Sequence, residues 1–281
     1  MPRRGSAPTL GPVATASAVS ALLRASHPGP TVAVTALTAL LGVGAGHSLR
    51  TGALVTAAVA AGQLTIGWSN DLIDAGRDRQ VGRHDKPVAR GEVSAPVVRR
   101  ALGVAWVLCV GLSLACGLAS AAVHLALGVA SGWGYNLGLK RTLWSAVPYA
   151  VAFGSLPAVV SLALPEHRLP PAWMVAAGAL LGVGAHLLNA LPDLADDLDT
   201  GVRGLPHRLG AHRLRWLAPA VLLAASAVTV FGPAATAGGW AWGALAICLA
   251  LCGVAVAGRG RVPFAAAVGI AAVDVVTLVL R

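Results

Sequence analysis

Residues 70 to 78 read NDLIDAGRD: three carboxylates and an amide in nine positions, directly after nineteen residues, Thr51 to Ser69, without a formal charge. A second acid-rich stretch, NALPDLADDLDTG, begins at Asn189. The chain holds eleven Asp and Glu residues, and seven lie in these two stretches: Asp71, Asp74 and Asp78, then Asp193, Asp196, Asp197 and Asp199. Aligned from their Asn residues, the stretches echo each other. Asn70, Asp74, Asp78 and Gly82 match Asn189, Asp193, Asp197 and Gly201, and Ala190 stands where the first copy has Asp71. Carboxylate and amide oxygens at this spacing suit Mg²⁺, which takes oxygen ligands and keeps waters or substrate phosphates in its shell. No Cys or paired His accompanies them, as zinc would require.

Geometry says what must hold these groups. At about 100° per residue, Asn70, Asp74, Asp78 and Asp71 share one face of a helix, provided that helix runs through the whole motif. Asn189, Asp193 and Asp197 form the same stripe, with Asp196 close to it. Two facing acid stripes are tolerable with cations between them, and an anionic ligand such as diphosphate could bridge those cations. Lys and Arg are dense nearby: Arg79, Arg83 and Lys86 follow the first stretch, Arg203 the second, and Lys140 and Arg141 end another apolar segment. Charge from a metal and from bases stabilises a departing diphosphate.

The elements carrying these stripes are membrane spans. The chain is 56% hydrophobic and 11% charged, with mean hydropathy +0.73, against roughly 25% charge in soluble domains. Windows of about 20 apolar residues are needed to cross a bilayer. Nine are found, at 29–47, 52–73, 101–120, 121–138, 143–164, 172–192, 214–232, 237–257 and 263–280. With the N-terminus in the cytoplasm, only Arg50, Arg168 and Arg281 of the 21 Lys and Arg residues fall outside, which satisfies the positive-inside rule. The net charge of +10 is thus topological and excludes nucleic acid as the partner. The expected architecture is all-α: a polytopic bundle of about nine transmembrane helices around a central cavity, the N-terminus and active site facing the cytoplasm, in the plasma membrane. Residues 1–20, rich in Ala, Ser, Pro and Thr, read as a disordered segment without a signal-peptide core, and residues 21–281 as one domain. Cys109, Cys116, Cys248 and Cys252 all fall within spans and read as small apolar residues. Asp274, alone in the last span, calls for a partner such as a Ser or Thr hydroxyl.

Taken together, NDLIDAGRD, the R-x-x-K-P-x-x-x-G of Arg83 to Gly91, YNLGLKR (Tyr135 to Arg141), the N-x-x-x-D-x-x-x-D at Asn189 and the G-x-R-x-L-P after it, with Leu-Arg-x-x-x-Pro at Leu23 to Pro28, resemble the UbiA superfamily of intramembrane prenyltransferases. The resemblance runs through most of the chain. It implies that Asn70, Asp71, Asp74 and Asp78 form one Mg²⁺ site and Asp193 and Asp197 a second, with the five aspartates catalytic. It implies that Arg83, Lys86, Lys140 and Arg141 contact the diphosphate of a prenyl donor. Tyr135, Asn136, His186 and Asn189 would border the pocket of the acceptor, often an electron-rich aromatic ring. Ionisation would give an allylic cation that this acceptor captures, while the polyprenyl tail enters sideways from lipid. Two departures stand out: Ala190 replaces an acid, which Asp196 could supply, and Lys86 stands where many members carry Arg.

Two rival functions fit the same residues. A membrane terpene cyclase would use identical metal motifs and let the donor's own double bonds capture the cation. A cation- or proton-coupled transporter would use the acids but leaves the surrounding bases unexplained. A CDP-alcohol phosphotransferase would need a D-G-x-x-A-R signature that is absent, and a soluble prenyl-chain synthase is excluded by hydropathy.

Overall fold

The computed structural model describes residues 12–83, 85–191, 194, 201–233 and 238–279. Among them there is no strand. The helices are α1 (Pro12–Ala25), α2 (Pro28–Gly44), α3 (Leu49–Gln80), α4 (Ala95–Ala115), α5 (Leu118–Val123), α6 (Ala130–Leu137), α7 (Val147–Ser161), α8 (Ala172–Ala190), α9 (Leu205–Phe231), α10 (Gly239–Ala257) and α11 (Val262–Val279). A π-helical stretch, His124–Val129, joins α5 to α6, and two short 3₁₀ turns, Leu139–Arg141 and Leu143–Ala146, lead into α7.

Among the described residues, six helical segments are long and apolar enough to cross a membrane: Leu49–Gln80, Ala95–Ala115, Leu143–Ser161, Ala172–Ala190, Leu205–Phe231 and Gly239–Ala257. Pro28–Gly44 and Val262–Thr277 are apolar but shorter, and 118–137 is helical in three pieces. The windows drawn from hydropathy thus coincide with helices, while length and composition alone carry six of the nine. The N-terminal expectation needs correction. Helix α1 starts at Pro12, so residues 12–20 are helical rather than disordered, in keeping with the high helix propensity of their alanines. Residues 1–11 lie outside the described residues.

Small residues let the helices approach. On α8, Gly178 and Gly182 lie one turn apart, and a Cβ on either would strike the backbone carbonyls of Phe153 and Tyr149 on α7. This is the small-xxx-small packing typical of membrane helices, where van der Waals contact replaces the hydrophobic effect as the drive for association. Two residues further, Gly184 receives Leu222 of α9. On α3, Gly67 abuts the Ser26 carbonyl at the α1–α2 junction, and Trp68 Nε1 donates to the Leu22 carbonyl at 2.9 Å. Leu37 of α2 packs on Ala271 and Val275 of α11, which brings the two ends of the chain together. An apolar cavity of about 50 Å³ lies among α2, α7, α8, α9 and α11. That holds about four water-sized groups, far less than a long isoprenoid tail.

The candidate site at the end of helix α3

Helix α3 persists to Gln80, so the condition for a shared acid face is met. Asp71, Asp74 and Asp78 are all buried, each at 1–2% exposure. Three carboxylates buried this close together need compensating charge, and bases from two loops and from α3 itself supply it.

The first loop folds back over α3 because Val88 and Val93 bury themselves against Trp68, Ala75 and Val98. Its turn closes with hydrogen bonds from Arg90 N to Lys86 O and from Glu92 N to Pro87 O, at 3.1 and 3.0 Å, and Gly91 supplies the positive φ of 73° that a side chain would resist. This fold sets Val88 N 3.3 Å from Asp71 Oδ2 and Lys86 Nζ 3.4 Å from Asp71 Oδ1. Lys86, itself buried, also donates to Asn70 Oδ1 at 3.1 Å and meets His27 Nε2 at 3.0 Å. Burial, then the Lys86 ammonium, holds the His27 imidazole well below its usual range, so a neutral ring accepts that hydrogen bond. Arg83, which lines a cavity together with Asp78, is paired with Asp85. It grips Asp85 with two 2.9 Å hydrogen bonds, which bring the Asp85 carboxyl down to about 2.

The second loop is the turn after α6. Lys140, buried, donates to both oxygens of Asp74 at 2.6 and 2.5 Å. Gly204 makes this position possible, since a Cβ there would collide with the Lys140 carbonyl and with Ser145. The glycine inside G-x-R-x-L-P is thus a close-approach residue. Arg141, its neighbour in sequence, is exposed and pairs with none of Asp71, Asp74 and Asp78. Arg77, from α3 itself, spans Asp74 and Asp78 at 3.6 and 3.5 Å.

This set fits a hard cation in one respect and falls short in another. Asp71 Oδ1 and Asp78 Oδ1 are met only by cations at 3.4 and 3.5 Å, beyond a short hydrogen bond, and Asp78 Oδ2 is buried without a hydrogen-bond partner, which is costly unless a cation or donor meets it. Beside Asp78, a second, more open cavity of about 200 Å³ is lined by Arg79, Gly82, Arg83, Ala89 and Arg90. Among the described residues, however, no three His, Cys, Asp or Glu side chains converge into a complete metal centre. Asp74 is committed to Lys140, so a metal here would draw part of its shell from water or an anion. Asn70 is committed as well: it accepts from Lys86 and donates to Asn136 Oδ1 at 3.1 Å. Asn136 in turn donates to Ile66 O and Ser69 Oγ at 2.9 and 2.8 Å, which makes it a brace between α6 and α3. Asp193 and Asp197, the expected second site, and Asp196 lie outside the described residues.

The remaining pocket candidates meet around α8. His186 is buried, with its ring 5.6 Å from Tyr135 edge-on and 4.7 Å from Tyr149. The Tyr149 hydroxyl is within hydrogen-bonding contact of Tyr135 and Asn189, and Asn189 is otherwise exposed. Sequence reasoning passed over His27, Arg77, Arg90 and Ser145. For His27 and Arg90 a signal existed, since they lie inside the Leu23–Pro28 and Arg83–Gly91 stretches; Ser145 had none.

An apolar helical bundle with a charge-compensated acid site at one helix end defines an integral membrane protein built around a polar ligand site. The chain belongs to the UbiA prenyltransferase family, whose sequence model matches residues 30–271. No curated protein sequence matches it significantly. Among solved structures it is similar to a UbiA homologue of Archaeoglobus fulgidus bound to GPP and Mg²⁺, with TM-score 0.71, 16% identity and coverage of 92% of this chain and 98% of that one. It is also similar to the apo form of a UbiA homologue of Aeropyrum pernix K1, with TM-score 0.71, 17% identity and coverage of 88% and 97%. A digeranylgeranylglyceryl phosphate synthase gives TM-score 0.65 at 16% identity, covering 93% and 97%.

Proposed function

We propose that the protein transfers a prenyl group from its diphosphate to an aromatic acceptor, with Mg²⁺ at the α3 acids. The observation that carries this reading is the set of buried, incompletely bonded oxygens on Asp71 and Asp78 beside a cavity rimmed by Arg79, Arg83 and Arg90. Family membership and the GPP and Mg²⁺ bound by the A. fulgidus homologue support it. Asp71 and Asp78 would hold the ion, together with Asp193 and Asp197 from the second stretch. Bound Mg²⁺ would supply positive charge to the diphosphate as it departs. Arg79, Arg83 and Arg90 would bind the diphosphate oxygens. Lys86 and Lys140, already beside Asp71 and Asp74, would keep the acids charged and oriented and share the same anion. Arg141, being exposed, would contribute long-range attraction. The tail would enter between helices from lipid, since the enclosed cavity is too small for it. The same reading places the N-terminus and the site on the cytoplasmic side of the plasma membrane, where the positive-inside rule puts most Arg and Lys.

The test is purified protein in liposomes with Mg²⁺ and radiolabelled geranyl diphosphate, with and without a phenolic acceptor. Prenylated acceptor formed in the wild type and lost in Asp78→Asn supports the proposal. A cyclic hydrocarbon formed without acceptor would instead make the protein a cyclase, and ion uptake without any diphosphate would make it a transporter.

A further inference from the structure

Beyond the three acids of α3, the first 165 residues carry only two more, Asp85 and Glu92. Each is paired with an arginine that lines the open cavity beside Asp78. Asp85 accepts two 2.9 Å hydrogen bonds from Arg83, from Nε and from Nη2, the two-pronged geometry in which a guanidinium also grips a phosphate. Glu92 meets Arg90 Nε through Oε1 at 3.1 Å. Its Oε2 is taken by Arg24 of α1, which donates in turn to Ser20 Oγ at 2.9 Å.

Acids in these places work against anion binding, since they occupy the donors and repel the ligand. Stapling the fold does not account for them. Arg83 and Asp85, like Arg90 and Glu92, are two residues apart in one loop, so neither pair ties distant segments together. Only the Arg24 contact does that, and it uses the other Glu92 oxygen. Both pairs are also easy to open. The Asp85 side chain is 48% exposed, and an ion pair so close to water is worth little, so the released carboxylate is hydrated at once. A diphosphate brings several charges to the same guanidinium groups and wins them. Transfer then leaves inorganic diphosphate in the cavity, and a site that held it too firmly would turn over slowly.

We propose that Asp85 and Glu92 are resident counter-anions of the diphosphate site: they hold Arg83 and Arg90 before the donor binds, yield them to its diphosphate, and reclaim them as the diphosphate product departs. This rests on the reading above that the cavity beside Asp78 takes diphosphate, and adds that the loop's own acids set how tightly it is held.

The experiment titrates full-length protein in nanodiscs with inorganic diphosphate in the presence of MgCl₂, followed by calorimetry. Asp85→Asn, which keeps the side-chain shape and removes its charge, should tighten binding about fivefold. Glu92→Gln, whose other side-chain group still serves Arg24, should tighten it about threefold. A double-mutant cycle separates this exchange from a general gain of positive charge. Arg83→Ala alone weakens binding, and adding Asp85→Asn to it should change the Kd by less than about twofold, because the partner is gone. Weaker binding in Asp85→Asn overturns the inference, since the acid would then position Arg83 rather than compete for it. Unchanged binding overturns it too, as does a full gain in the Arg83→Ala background. Should Glu92→Gln lose its fold with the Arg24 contact, Asp85→Asn decides alone. A wild type that binds no diphosphate with MgCl₂ would remove the diphosphate reading and this inference with it. Wild-type binding that ignores Asp85 removes the inference alone.

Discussion

Among the described residues, acids are buried in two places and treated differently. At the end of α3, Asp71, Asp74 and Asp78 are surrounded by Lys86, Lys140 and Arg77, and three of their oxygens are still not fully hydrogen-bonded. In the middle of the second half, Asp274 of α11 has no base beside it. Ser226 of α9 donates to its Oδ2 at 3.0 Å, and Cys248 of α10 sits 3.8 Å from Oδ1. Both Asp274 oxygens therefore have neutral partners, one from each neighbouring helix. The first arrangement is charge balanced against charge with ligand capacity left over; the second is a closed polar tie among three helices. An intramembrane acid is a functional candidate by default, and the distinction between these two lies in whether its neighbours use up its oxygens.

The contrast can be broken most severely by activity. Asp74→Ala should lower Mg²⁺-dependent transfer by at least about 10³-fold, because it releases Lys140, a cation proposed to meet the charge that develops on the diphosphate. Radiolabelled product from liposomes measures this, and Asp274→Asn in the same assay should stay within about twofold. Retained turnover in Asp74→Ala would put the chemistry elsewhere.

Stability comes next. Lys140→Ala leaves Asp74 buried with Arg77 at 3.6 Å as its nearest cation, and loss of one partner of a buried pair costs about 3–5 kcal/mol. Thermal unfolding in detergent should show it. The double variant Lys140→Ala with Asp74→Ala should recover much of that loss, since no carboxylate is then stranded.

Mg²⁺ itself sharpens the comparison further. An ion that binds the native state alone stabilises it by about 2.7 kcal/mol at a hundred times its Kd. The wild type and Asp274→Asn should both gain unfolding temperature on adding Mg²⁺ and lose it with EDTA, whereas the double variant Asp71→Asn, Asp78→Asn should not respond. An equal gain in all three would locate the ion away from α3.

The smallest effect belongs to the closed tie. Asp274→Asn keeps a group that can bond Ser226 and should cost about 1 kcal/mol, the scale of a single hydrogen bond. Asp274→Leu strands the Ser226 hydroxyl beside a bulkier apolar group and should cost more in the same unfolding measurement.

Much of this was written in the order of residues. Carboxylates at i, i+4 and i+8 on an uncharged stretch dictate one polar face on one apolar helix, since the 3.6-residue turn leaves no other arrangement. Apolar windows dictate helices, because a chain in lipid must satisfy its own backbone. The alternation of basic segments suggests topology, and the paired Asn-to-Gly spacing marks Asp193 and Asp197 for the same role. For Asp274, the expected hydroxyl partner is Ser226. What no local pattern could give was the assignment of each base. Lys140 and Arg141 are adjacent and alike in sequence, yet one is buried on Asp74 and the other exposed, because Gly204 of a distant segment allows close approach on one side of the turn. Arg83, expected at the diphosphate, is held by Asp85, and Ser145 meets His186 across 41 residues of chain. Spacing along a helix is fixed by its own geometry, so the acids could be read from sequence; the partners of those acids come from other helices, and their positions follow from how the bundle packs.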